Sequence, residues 1–312
     1  MNGYPIKEND LAMLLNSKTF NTYASIFKML ATSLFTWKNL DKHCGVGANR
    51  FIEQVLYEDG KAVFVKDDNF GYMSLRAQPD DKYNVYNLPV RVVATSFEYN
   101  KTFDFDDVVY IWNNNQFLPT YSLIEIFIYK LYETERTIDT NLIAQKTPIL
   151  IEGDTKTTLT LKNLYAQYSG NTPVIFGNTK YNINNKLNVL RTDAPYLVDK
   201  LEVHKHNVID DILTILGIDN ANTDKKERLI VDEVESNEDL INYFLNCFYA
   251  PRKRACVEIN EKFGFEGEDA INIELNKEVL DLLKETQGML VENIKENIDE
   301  EGDEDGKIYS NN

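Results

Sequence analysis

Two amphipathic stretches of similar length, residues 120–144 and 194–216, bracket a short segment rich in β-forming residues. At 1.5 Å per residue a stretch of twenty-odd residues makes a rod of roughly 30 Å. The first stretch follows Pro119, shows the capping-box spacing at Ser122 and Glu125, and carries Ile124, Phe127, Ile128 and Leu131 on one stripe. It is expected to end near Ala144, because the residue before Pro148 favours an extended backbone. The second opens on Asp193 as N-cap with Pro195 in the first turn. Its apolar seam is Leu197, Leu201, Val208, Ile212 and Ile215, with Asp199, Lys200, Glu202, His206 and Asp210 largely on other faces, and Gly217 stops it. Between the rods, Pro148–Ile151, Pro173–Phe176 and Lys186–Arg191 read as short strands. Thr160–Tyr168 reads as a short helix ended by Ser169, Gly170 and Asn171. Two rods around a small β insert predict a hairpin-like arrangement rather than a globule.

The flanking regions are mixed. Residues 18–40 have helical periodicity through Phe20, Tyr23, Ile26, Phe27, Leu30, Leu34 and Phe35. Residues 41–50 read as a polar loop containing Gly45-Val46-Gly47. Ala62–Lys66, Val90–Phe97 and Val108–Trp112 read as strands, separated by turn-rich segments such as Gln78-Pro79-Asp80-Asp81. After the second rod, residues 218–237 are strongly polar, a length that within a domain is functional or disordered. A helical pattern covers 238–263, interrupted at Pro251 and stopped at Gly264. Residues 270–283 read as a strand and a short helix. From Glu292 the chain is an acidic run expected to be disordered. There is no internal repeat, and the fold class is α+β, mainly α.

The formal net charge is -17 over 312 residues. A protein that grips DNA usually shows a basic face, so general nucleic-acid affinity is expected to be poor. A conduit differs, because an acidic wall repels the duplex and lets it slide; simple solubility explains the acidity equally well. The 18 Tyr and 16 Phe suit either a core or subunit interfaces. Cys44, Cys247 and Cys256 are odd in number with no paired spacing, as for reduced thiols. The N-terminus carries no signal-peptide pattern and no apolar run reaches the roughly 20 residues of a membrane span. The expectation is manufacture and assembly in the cytoplasm.

Catalytic chemistry finds no support. There is no phosphate-binding G-x-x-x-x-G-K-[ST] loop, and Gly45-Val46-Gly47 lacks the third glycine of a dinucleotide fingerprint. His204 and His206 are two apart, which on a helix places them on different faces, and His43-Cys44 is a lone adjacent pair. Asp303-Glu304-Asp305-Gly306 mimics part of a calcium loop, yet Asn312 stands where the twelfth-position glutamate belongs. No catalytic residue, metal ligand or cofactor is assigned, and the chain reads as a non-enzyme. Two basic features remain: Arg191 with Lys200, and Lys225, Lys226 and Arg228 in the polar loop. Singly these are ordinary surface charges. Repeated around a ring, one inward cation per subunit becomes a belt able to touch phosphates transiently.

Several sequence words carry a resemblance. They are Ala144-Gln145-Lys146-Thr147-Pro148, Gly170-Asn171-Thr172-Pro173-Val174-Ile175-Phe176, Thr192-Asp193-Ala194-Pro195-Tyr196 with Val198-Asp199-Lys200-Leu201, and Lys225-Lys226-Glu227-Arg228 with Asp232-Glu233-Val234. In this order, and over residues 118–263 with a weaker continuation toward the N-terminus, the chain resembles the upper collar (connector, or portal) proteins of small short-tailed bacteriophages.

The resemblance implies a portal fold assembled as a ring of twelve, with a wing, a two-helix stem, a β-rich clip and a channel loop. On this sequence it implies a wing at 1–118 and 238–291, stem helices at 119–146 and 193–217, a clip at 147–192, a channel loop at 218–237 and an acidic tail at 292–312. Arg191 and Lys200 fall at the family's two basic rings, the first being arginine here. Together with Lys225, Lys226 and Arg228 they are the expected channel-lining residues. Thr147, Pro148, Asn171 and Pro173 are the expected docking residues of the clip. The implied partners are further copies of the chain, double-stranded DNA in the channel, capsid and scaffold proteins, a lower collar or tail protein, and a packaging ATPase, at the capsid vertex of the virion. The N-terminus lacks the basic arm some relatives use, which leaves a structural RNA partner open. The segment Leu240–Pro251 is more apolar than the resemblance leads one to expect, which points to a longer or differently kinked helix. The alternatives are a lower collar or tail adaptor ring and, more remotely, a soluble enzyme.

Overall fold

The computed structural model describes residues 8–80, 82–86, 88–145, 149–153, 174–178, 195–219 and 231–279. The chain divides into two compact units, Met1–Phe20 with Tyr129–Val208 and Asn21–Ile128 with Ile209–Asn312.

Helix α1 spans Glu8–Ser33 and is followed by β1 (Phe35–Lys38), α2 (Leu40–Cys44) and α3 (Ala48–Asp59). Strands β2 (Lys61–Asp67), β3 (Gly71–Pro79), β4 (Arg91–Thr95), β5 (Asn100–Asp104) and β6 (Val109–Trp112) come next. They form one antiparallel sheet in the order β5-β4-β3-β2-β6. The register Ala62↔Arg76 and Val63↔Leu75 puts Val63, Val65, Leu75, Ala77, Val92, Ala94, Val108 and Tyr110 into one buried cluster. Met73, Tyr99, Phe103, Phe105 and Trp112 cover it. On the other residues of β2, Phe64 packs beside Tyr72 and Phe263 at centroid distances of 5.9 and 5.2 Å.

Three differences from the sequence reading have plain causes. The first helix ends at Ser33, because Phe35–Lys38 pairs antiparallel with Asn272–Leu275 (β9), Phe35 opposite Leu275. Residues 40–44 and 48–59, which fall in and beyond the expected loop, are helical; Gly45 and Gly47, both at positive φ, form the turn between them. Residues 71–79 are a strand although they close on Pro79, and Asn100–Asp104 is an exposed edge strand with no alternating pattern to announce it. The β2–β3 turn is organised by Asp67. Its Oδ1 accepts the N–H groups of Asn69 and Phe70 at 2.9 and 3.3 Å, and its Oδ2 accepts from Tyr99 Oη and Lys101 Nζ at 2.9 and 2.8 Å.

Helix α4 covers Thr120–Gln145, close to expectation. Ile124, Ile128, Leu131, Thr134 and Ile138 are buried along it, a run of three- and four-residue steps. Ser122 lies inside the helix instead of capping it, and Glu125 accepts from Tyr121 Oη at 3.0 Å. Within 147–192 the described residues are two strands, β7 (Ile149–Gly153) and β8 (Val174–Asn178), paired parallel with Ile149 opposite Val174. The expected helix at 160–168 and strand at 186–191 lie outside the described residues.

Helix α5 spans Val198–Leu216, so Pro195 precedes the helix instead of sitting in its first turn, and the expected Asp193 cap lies outside the described residues. Val208, Ile212, Leu213 and Leu216 are buried, whereas Leu197 is exposed, so the seam turns slightly from the expected one. Gly217 ends α5 in a two-bond C-cap: its N–H donates to Thr214 O at 3.0 Å and the Ile218 N–H to Leu213 O at 2.9 Å. Its φ is 74°, and a Cβ there would sit 2.6 Å from backbone atoms of Leu245.

Helix α6 runs unbroken from Val231 to Phe263. Residues 231–237 are thus helical where polar loop was expected, and the helix passes through Pro251. A helical proline lacks the N–H for the carbonyl four residues back and crowds that turn. The carbonyl opposite the missing N–H is that of Cys247; one residue on, Arg252 Nη1 donates to Phe248 O at 2.9 Å. Gly264 stops the helix as expected, its N–H donating to Asn260 O at 2.9 Å. Among the described residues no helix is long and apolar enough to cross a membrane.

Candidate functional site

Of the channel-lining residues expected from the sequence, Lys200 is described. It is exposed on the first turn of α5, and among the described residues no acidic side chain pairs with it. Arg191, Lys225, Lys226 and Arg228 lie outside the described residues, as do the docking residues Thr147, Pro148, Asn171 and Pro173.

The neighbouring cation behaves differently. Lys205 Nζ lies 2.6 Å from Glu202 Oε2 and 3.4 Å from Glu135 Oε2, tying α5 to α4. Partial burial acts to lower its pKa, but the Glu202 hydrogen bond and the Glu135 charge outweigh that and raise it. Lys205 is therefore a clamp between α5 and α4, a role that Lys200 does not share among the described residues.

Asn141, near the end of α4, supplies a contact that sequence spacing did not reveal. Its Nδ2 donates to Pro195 O at 2.9 Å, and its Oδ1 accepts the Leu197 N–H at 3.1 Å. The Leu197 carbonyl in turn accepts from Leu201 N at 3.0 Å. The chain entering α5 is thus held by a side chain 56 residues earlier, in the way a local Asp or Ser would cap a helix. Asn141 has no short-range signature; only the pairing of the two rods brings it to Leu197.

The start of α4 is fixed by a second asparagine. Asn113 follows β6, and its N–H donates to Gly60 O at 2.9 Å. Its Nδ2 donates to Leu118 O at 2.8 Å and to Thr120 Oγ1 at 3.0 Å, and Thr120 Oγ1 lies 3.3 Å from Asn113 Oδ1. Asn114 Oδ1 accepts the N–H groups of Gln116 and Leu118 at 3.0 and 3.1 Å. The turn presses on Gly60, whose φ is 74° and where a Cβ would meet Phe117 O at 2.5 Å.

Behind Asn113 lies a buried ion pair. Arg252 Nε and Nη2 donate to Glu53 Oε1 and Oε2 at 2.9 and 2.8 Å. Nη1 donates to Asn113 O at 3.1 Å as well as to Phe248 O, and Nη2 to Asn113 Oδ1 at 3.1 Å. All five guanidinium N–H groups are thereby used. Trp37 Nε1 adds a donor to Glu53 at 2.7 Å, and the Phe35 ring centre lies 4.5 Å from the guanidinium carbon.

Among the described residues no nucleophile, base or ligand cluster is assembled into a site. Burial pushes the Cys44 and Cys256 thiols up to about 12, which leaves them protonated and unreactive at neutral pH. His43 stacks on Phe265 at 3.9 Å, with its Nε2 2.8 Å from Asp269 O. Among the described residues no group of three or more His, Cys, Asp or Glu side chains is placed to hold a metal.

The comparisons with known proteins bear on the whole chain. Among solved structures it is similar to a chain described as "Portal and tail of native bacteriophage P68", with 14% identity and a TM-score of 0.42, covering 93% of this chain and 99% of that one. The family model for the Phage Connector (GP10) matches residues 6–279, which takes in parts of both compact units and every described element. The match reaches beyond the words at 144–234 to the N-terminal helix and sheet, and on that extent the chain belongs to the phage connector family.

Proposed function

We propose that copies of this chain close into a homo-dodecameric ring at one capsid vertex and that double-stranded DNA passes through its lumen during packaging and ejection. The observation that carries this reading is the connector-family match across residues 6–279. In this reading α4 and α5 are the stem, 147–192 is the clip facing the lower collar or tail protein and the packaging ATPase, and 218–230 is the channel loop. The sheet, with α1 to α3 and α6, is the wing, facing capsid and scaffold proteins. The subunits are made and joined in host cytoplasm. No chemical step is assigned, since the family is a structural one.

The net charge of -17 supports a sliding contact. Repulsion between an acidic lumen and phosphate keeps the duplex centred, and sparse cations make brief contacts without holding it. Lys200, exposed and unpaired among the described residues, suits that role better than Lys205, which Glu202 and Glu135 occupy. Arg191, Lys225, Lys226 and Arg228 are assigned with it from sequence position.

Deleting residues 224–230 tests the loop. The expected outcome is intact rings that package DNA and then lose it, read as the fraction of heads retaining a full genome. Normal retention in that variant contradicts the loop assignment. Neutral replacements at Arg191 and Lys200 together are expected to shorten the packaged length mildly without abolishing packaging.

A further inference from the structure

The buried ion pair reaches α4 through one residue. Of the five guanidinium bonds of Arg252, two go to Glu53 on α3, one to Phe248 within α6, and two to Asn113. Asn113 then holds Leu118 O and the Thr120 hydroxyl, at the first residue of α4. An apolar pair of similar volume would fill the same space, and replacing a buried ion pair that way is often neutral or stabilising. It would not supply donors to Asn113 O and Oδ1. Those donors also bear on which way round the Asn113 amide sits: its Oδ1 accepts from Arg252, and its Nδ2 donates to Leu118 O, which Asn114 Nδ2 also reaches at 2.8 Å.

We propose that Arg252 is a positioning residue for α4: it fixes the Asn113 amide in the orientation that grips Thr120, and so sets where α4 starts relative to α6. The residues involved, Glu53, Asn113, Thr120 and Arg252, all belong to one compact unit. Helix α6 begins at Val231, next to the segment assigned above as channel loop. The link therefore joins the helix that leaves that loop to the root of a stem helix. Only those two names rest on the portal reading; the geometry does not.

The test uses the full chain carrying Glu53→Leu with Arg252→Met, compared with wild type by thermal unfolding and by amide hydrogen exchange. The expected result is a melting temperature within a few degrees of wild type together with exchange at least tenfold faster at Leu123–Ile126, the first amides bonded within α4. Amides of β2 and β3 are expected to stay protected. A folded double variant whose Leu123–Ile126 amides exchange at the wild-type rate overturns the proposal. Thr120→Val removes the gripped hydroxyl and leaves the ion pair in place, so it decides the matter if the double variant does not fold. It is expected to raise the same exchange tenfold, and unchanged exchange there overturns the proposal equally. Failure to form rings would contradict the portal reading and leave the exchange result standing.

Discussion

Asp67 shows how much one side chain can organise. Its carboxylate takes Lys101 Nζ and Tyr99 Oη from the β4–β5 hairpin while closing the β2–β3 turn. The Lys101 hydrogen bond, followed by the Asn69 N–H, holds its pKa well below the usual carboxylate range, against burial. An unfolded aspartate titrates near ~3.9. The contribution of Asp67 is therefore complete above that pH and is lost as pH falls toward the depressed folded value. Asp67→Asn is expected to lower the melting temperature at pH 7 and to narrow the difference from wild type as pH drops below about 4; a pH series of thermal melts checks it.

Two further residues give sharp stability predictions. Arg252→Met alone strands a buried Glu53 carboxylate and is expected to cost about 3–5 kcal/mol in denaturant unfolding. Gly217→Ala places a methyl against the Leu245 backbone at a positive φ. It is expected to cost more than the ~1 kcal/mol of ordinary Gly/Ala differences.

At the scale of elements, α4 and α5 each depend on a side chain from elsewhere. Asn141→Ala removes both bonds to residues 195–197 and is expected to destabilise the start of α5 by about 1 kcal/mol. Faster amide exchange at Leu201 and Glu202, with α3 unchanged, is the signature. What could be read from the sequence follows the same division between local and distant causes. Helix α4 was legible from its apolar spacing, and the ends of α5 and α6 from Gly217 and Gly264, because those signals lie within one turn. Strand β1 was not, because Phe35–Lys38 carries the tail of a helical pattern and becomes a strand through its pairing with β9, over 230 residues on. The start of α5 was misplaced because its cap is Asn141 rather than a neighbour. The passage of α6 through Pro251 was not legible, because a proline inside a helical pattern reads as an interruption. Strand β3 was hidden by the turn-forming residues that follow it.

For the molecule as a whole, family and function were legible through ordered sequence words, and the extent of the connector match carries them across residues 6–279. Lys200 is exposed and its channel role stands as a proposal, whereas Asn113, Asn141 and Arg252 draw their roles from contacts that no local pattern encodes. Acidity and sparse basic contacts together predict weak, salt-sensitive DNA affinity. Purified rings are expected to bind linear duplex poorly at physiological salt, and retention on a DNA column through high salt would contradict a sliding lumen.

That copies of this chain enclose a channel is a proposal the purified protein can test. Negative-stain electron microscopy of the purified full-length protein tests it most directly. Closed rings of about twelve subunits with a central hole wide enough for duplex DNA are the expected result. A field of monomers, or of compact oligomers without a hole, would contradict it.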